Sequence, residues 1–176
     1  MTEIETKTNA ILKRLPELQE GKMPPVDANL STELVQAILK DGKNSIVGLI
    51  DALRELDNGS DWKTRFLLNT LVSAVGTPAQ TAPRQMLATA LLDEALGTRP
   101  SAVRAFLLGR LRLIADKEMV AKLIPLLAAD DPPLADAAAA VLVSIGTPAK
   151  APLAAALMGA QGRRKEVIEN ALAQLT

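Results

Sequence analysis

The sequence predicts an all-α protein, a right-handed α-solenoid of about four helical hairpins behind an N-terminal helical cap. Three observations lead there. Leu and Ala dominate a composition that is 48% hydrophobic and only 2% aromatic, so helix formers outweigh the β-branched and aromatic residues that favour strands. The stretch LVSAVGTPAQ (Leu71–Gln80) returns as VLVSIGTPAKA (Val141–Ala151), an apolar helix-like segment running twice into Gly-Thr-Pro-Ala. FLLNTL (Phe66–Leu71) returns as FLLGRL (Phe106–Leu111), so helices recur at a spacing suited to two-helix units.

Residues 1–44 differ from the rest. TEIETKTNAILKRLPELQ is a polar helix interrupted by Pro16, EGKMPPVDANLS is a connector, and a short helix Thr32–Lys40 follows Ser31. An atypical terminal segment reads as a cap over the apolar end of a repeat array, the alternative being a mobile or partner-docking arm. Then come Ser45–Leu56, which stops at Asp57-Asn58-Gly59-Ser60, and Asp61–Val75, which has Asp61 as N-cap and stops at Gly76. Pro83–Leu96 ends at Gly97, Ser101–Ala115 is capped by Ser101, and Lys117–Ala128 breaks at Ala-Asp-Asp-Pro-Pro. Pro133–Ile145, Pro148–Met158 and Arg163–Leu175 complete the series, giving hairpins over 45–76, 83–116, 117–146 and 148–176. In Gly-Thr-Pro-Ala, Gly76 and Gly146 suit a left-handed C-terminal cap, Thr can cap the next helix, and Pro78 and Pro148 fit a first turn. The polar run of Arg163, Arg164, Lys165, Glu166, Glu169, Asn170 and Gln174 suits a water-facing C-terminal cap.

The second helices align at offsets of 40, 70 and 100 residues. One column reads Leu68, Leu108, Ala138, Ile168; another Leu71, Leu111, Val141, Ala171; a third Val75, Ala115, Ile145, Leu175. A degenerate two-helix repeat whose single unit cannot bury its apolar face is the sequence signature of a solenoid. Leu123–Leu157, with its Leu-rich helix, Asp-Pro turn, Ala-rich helix and Gly-then-Pro exit, resembles a HEAT-type repeat. Ser60–Ala79, including Asp61 and Arg65, resembles the second half of one. The characteristic second-helix Arg is kept at Arg65, approximated by Lys165 and replaced by Ala105 and Ala135. The resemblance spans roughly residues 45–176. It implies that the second helices line a concave face, placing Trp62, Arg65, Asn69 and Arg110 as partner-binding residues. Trp62 has two readings: packing under the N-terminal segment, or an exposed interface anchor.

Composition excludes several chemistries. With no His and no Cys, the chain has no thiolate nucleophile, no Ser-His pair and no His- or Cys-liganded zinc or iron site. Asp93 and Glu94 diverge on a helix, and Asp130-Asp131 reads as turn chemistry without the oxygens a calcium or magnesium site needs. Arg163-Arg164-Lys165 is a mild candidate for phosphate contact, weighed against a solvated cap. Twenty basic and twenty acidic residues cancel, which argues against nucleic acid. The opening residues show no signal-peptide pattern and no apolar run is long enough for a bilayer, so a cytoplasmic location is expected. The expectation is a non-enzymatic protein–protein interaction module or scaffold, without cofactor or metal, whose partner is another protein. The alternatives, by HEAT resemblance, are a nucleic-acid binder of the alkylpurine DNA glycosylase type and a non-catalytic subunit or bilin-lyase-type protein.

Overall fold

The computed structural model describes residues 2–55, 59–77 and 79–175. Among them are ten α-helices and no strand. They are α1 (Glu3–Lys13), α2 (Ala28–Asp41), α3 (Lys43–Asp51), α4 (Trp62–Val75), α5 (Thr81–Leu96), α6 (Ser101–Leu111), α7 (Val120–Leu123), α8 (Pro132–Ile145), α9 (Thr147–Leu157) and α10 (Gly162–Ala173). None is long and apolar enough to cross a membrane. The chain forms two compact units, Met1–Ala90 and Leu91–Thr176, the division falling within α5.

In the first unit, α1 starts with a capping box: Thr2 Oγ1 accepts from the Glu5 N–H, and the Glu5 carboxylate accepts from the Thr2 N–H. It ends before Pro16, whose ring disfavours helical geometry at Leu15. The helix expected over Thr32–Lys40 begins earlier, at Ala28, because Asp27 is the N-cap and accepts from the Leu30 N–H. The Ser31 and Thr32 hydroxyls instead donate to backbone carbonyls one turn back. Gly42, at φ +84°, turns α2 directly into α3, so the next helix starts at Lys43. That helix ends at Asp51, short of the expected Leu56; Leu56, Asp57, Asn58 and Pro78 lie outside the described residues.

The unit's core is made by α2, α3 and α4, with Leu34, Ile38, Ile46, Leu49, Ile50, Leu67, Leu68 and Leu71 fully buried. Each such side chain contributes about 1.5–3 kcal/mol through removal from water. The segment expected to be a cap is packed: α1 lies on α3, Thr8 is buried, and Arg14 pairs with Glu33 at 2.6 Å. The approach of α1 to α3 depends on Gly48, where an added Cβ would meet Thr8 Oγ1 at 2.2 Å and Ile4 Cγ2 at 2.8 Å. Gly48→Ala is therefore expected to cost about 1–3 kcal/mol by overpacking, despite the better helix propensity of Ala. Thr8→Ala removes the nearer clash, so denaturant midpoints of the two single variants and the double should show favourable coupling.

Lys7 bridges Glu3 (3.1 Å) and Asp41 (3.4 Å), while the Ser45 hydroxyl donates to Asp41 Oδ2 at 2.5 Å. The hydrogen bonds to Glu3 and Asp41 and their charges hold the Lys7 ammonium above its ordinary value. The Ser45 hydrogen bond, and then Lys7, hold the Asp41 carboxyl below its ordinary 3.8. A depressed carboxyl stabilises the fold above its unfolded pKa and loses that contribution as pH falls through the lower folded value. The stability difference between wild type and Asp41→Asn should thus stay level from neutrality to mild acid and shrink below 3.8 in denaturant titrations.

In the second unit, α6 packs on α8, α8 on α10, and α10 on α9. Leu107, Leu108, Leu111, Leu123, Leu142, Leu153 and Ile168 fill its interior. The helices α6, α8 and α10 begin side by side. The hydroxyl of Ser101, the first residue of α6, donates to the carboxylate of Asp131 at the head of α8, and Arg163 at the head of α10 pairs with Asp136 at 2.8 Å. Ser101 therefore does not serve as the expected N-cap, a position held by Pro100. The helix expected over Lys117–Ala128 is instead a 3₁₀ turn (Lys117–Met119), α7 and a second 3₁₀ segment (Ile124–Ala128). Pro125 explains the break, since it has no N–H for the Ala121 carbonyl.

The aligned columns can be compared with burial. Leu68, Leu108, Ala138 and Ile168 are all fully buried, and Leu71, Leu111, Val141 and Ala171 nearly so. The third column departs after Val75, because Ala115, Ile145 and Leu175 are only half-buried. The two Gly-Thr-Pro-Ala copies also differ. Gly146 takes φ +82°, ends α8 and starts α9 without an intervening loop, whereas Gly76 stays right-handed at φ −65°. The chain after Gly76 has four residues in which to turn before α5, so no left-handed glycine is needed there. Thr147 makes no cap; it is already the first residue of α9.

Candidate functional site

The expected partner-binding residues fall in both units. Trp62, Arg65 and Asn69 follow one side of α4 at helical spacing; Arg110 is on α6. Trp62 is 8% exposed and its ring lies 6.3 Å from Phe66, tilted by 60°. It borders a hollow shared with Asn9, Leu12 and Leu18, and at this burial its ring is not an exposed anchor. Neighbouring Lys63 pairs with Glu17 from the same N-terminal segment.

Arg65 is held by a turn. Asp61 stands at the N-cap position of α4, yet its carboxylate does not cap that helix. Asp61 Oδ2 accepts from the Arg54 N–H at 2.8 Å and Oδ1 from Arg65 Nε at 2.9 Å, while Arg65 Nη2 donates to the Arg54 carbonyl at 3.2 Å. The result is a closed ring that fastens the start of the α3–α4 connection, at Arg54, to the first turn of α4. Its acid is almost wholly buried and its guanidinium side chain only 15% exposed. Asn69 is exposed. In the second unit, Arg110 lies over the Phe106 ring at 5.3 Å, a cation–π geometry.

Members of the remaining charged motifs are engaged in structure. Glu94 pairs with Arg99 at 2.6 Å, Asp131 accepts from Ser101, and Lys165 faces Glu169 at 3.7 Å. No group of three or more acidic side chains is placed to hold a metal among the described residues.

Sequence reasoning missed a groove in the second unit. It has a volume of about 440 Å³ and runs between α8 and α10. Small apolar residues, Ala140 and Val143 of α8 and Ala171 of α10, form its floor, and the amides of Asn170 and Gln174 stand along α10. The spacing Val167-Asn170-Ala171-Gln174 was a readable signal, since these positions share one side of a helix. A polar C-terminal cap accounts for the same letters, so the pattern alone did not single out a groove.

No protein-family model matches the chain, and no curated protein matches it.

Proposed function

We propose that this chain is a non-catalytic protein–protein interaction module or scaffold, built as a right-handed HEAT-like solenoid of about four hairpins. The observation carrying the reading is the side-by-side start of α6, α8 and α10, fastened by Ser101–Asp131 and Arg163–Asp136. Successive second helices stacked in one direction give a continuous helical surface, the feature such folds use to hold partners. The two fully buried columns support the same repeat assignment. Trp62 and Arg65 serve packing in this reading, which leaves Asn69, Arg110 and the α8–α10 surface as the contact-bearing part. A cysteine-free, charge-balanced chain suits a cytoplasmic setting and a protein partner better than a polyanion.

The test is quantitative capture from lysate with the folded chain, with the heat-denatured chain as control, beside a salt titration with duplex DNA. The expected result is a protein retained only by the folded chain, and no DNA retention at about 150 mM salt. DNA binding that weakens steeply with salt, at a slope of several phosphate contacts, would instead establish the nucleic-acid alternative.

A further inference from the structure

The α8–α10 groove has one uncompensated charge. Of the two charged residues lining it, Asp136 is already paired with Arg163 at 2.8 Å. Arg112, the residue after α6, is exposed and forms no side-chain hydrogen bond or ion pair among the described residues. Because α6 and α8 begin side by side, Arg112 comes level with the C-terminal half of α8. The field in the groove is therefore that of a cation at one end. Asn170 is exposed and its side-chain amide is unengaged among the described residues; Gln174 Nε2 donates to the Asn170 carbonyl at 3.3 Å, leaving its own amide oxygen free to accept. Amides offer a donor and an acceptor together, which matches the alternating N–H and C=O of an extended backbone.

Length sets the size of the occupant. The lining runs from Asp136 to Ser144 along α8, about 12 Å at helical rise. An extended chain covers that distance in about four residues. The small apolar residues Ala140, Val143 and Ala171 in its lining suit small apolar side chains.

We propose that this groove binds an extended peptide segment of about four small residues ending in a carboxylate side chain, its backbone on Asn170 and Gln174 and its acid on Arg112. The proposal rests on the interaction-module reading and names the partner chemistry of one part of that surface.

The test is a ¹⁵N NMR titration of the full chain with a blocked pentapeptide of alternating alanine and valine that ends in aspartate. Parallel titrations use the same peptide ending in asparagine or in lysine, and acetate alone. The acidic peptide should shift the amides of Ala140, Val143 and Asn170 and bind about three- to tenfold more tightly than the asparagine form. Arg112→Ala should abolish that preference while leaving the rest of the spectrum in place. Equal binding of the acidic and neutral peptides, or acetate reproducing the same shifts, overturns the proposal. Shifts confined to α4 overturn it too, yet leave the module reading standing; the module reading fails separately, in the lysate and DNA experiments.

Discussion

Deleting Pro148–Thr176 is expected to abolish cooperative folding of the second unit. The deletion removes α9 and α10, and with them Leu153 and Ile168, both fully buried, and Val167 at 7% exposure. At about 1.5–3 kcal/mol each, these three side chains account for about 5–9 kcal/mol, against a typical total stability of about 5–15 kcal/mol. The loss extends to what remains. α8 packs on α10, and α7 and the 3₁₀ segment after it pack on α9, so their apolar sides would face water. Large contiguous apolar patches drive association, so the shortened chain should aggregate or melt far below the full one. Light scattering and a calorimetric scan check this. A truncated chain that stays monomeric with an unchanged midpoint would refute both the packing argument and the stacked-hairpin reading.

The all-helical class was legible because composition and punctuation agreed at every segment. Column alignment found residues that are fully buried, Leu68 to Ile168 and Leu71 to Ala171, since burial of an apolar stripe is what its periodicity encodes. What the alignment could not reach was the use of particular polar groups. Ser101 and Asp61 carry the side chains of N-caps, but a tertiary acceptor or donor claims each: Asp131 for Ser101, the Arg54 N–H for Asp61. A cap preference worth about 1 kcal/mol is easily outbid by a buried charge-assisted hydrogen bond. Gly76 and Gly146 show the same limit in the backbone, because identical letters were followed by connections of different length. The expected site met it as well. Helical spacing places Trp62 on one side of α4 with Arg65 and Asn69, but its 8% exposure and the hollow it shares with Asn9, Leu12 and Leu18, far away in sequence, are set by tertiary structure.

Asp61→Ala is expected to destabilise the first unit by about 3–5 kcal/mol, the range found when one member of a buried ion pair is removed. Three bonds are at stake. The carboxylate receives the Arg54 N–H and Arg65 Nε, and the same guanidinium reaches the Arg54 carbonyl. Without the acid, the Arg54 N–H loses its acceptor and the Arg65 guanidinium, only 15% exposed, loses the carboxylate at its Nε. Asp61→Asn separates the contributions, since a side-chain carbonyl can still accept from Arg54 while the charge is gone; its loss should be about half that of Ala. Arg65→Ala should also destabilise, and the double variant should cost much less than the sum of the two singles, because each substitution breaks the same ring. Urea midpoints at neutral pH give all four values. The outcome also decides how Arg65 is used: additive losses would mean that the ring contributes little and would return Arg65 to the partner-binding surface. Strong coupling instead assigns it to fastening the turn between α3 and α4, with Asn69 left as the exposed position of that helix face.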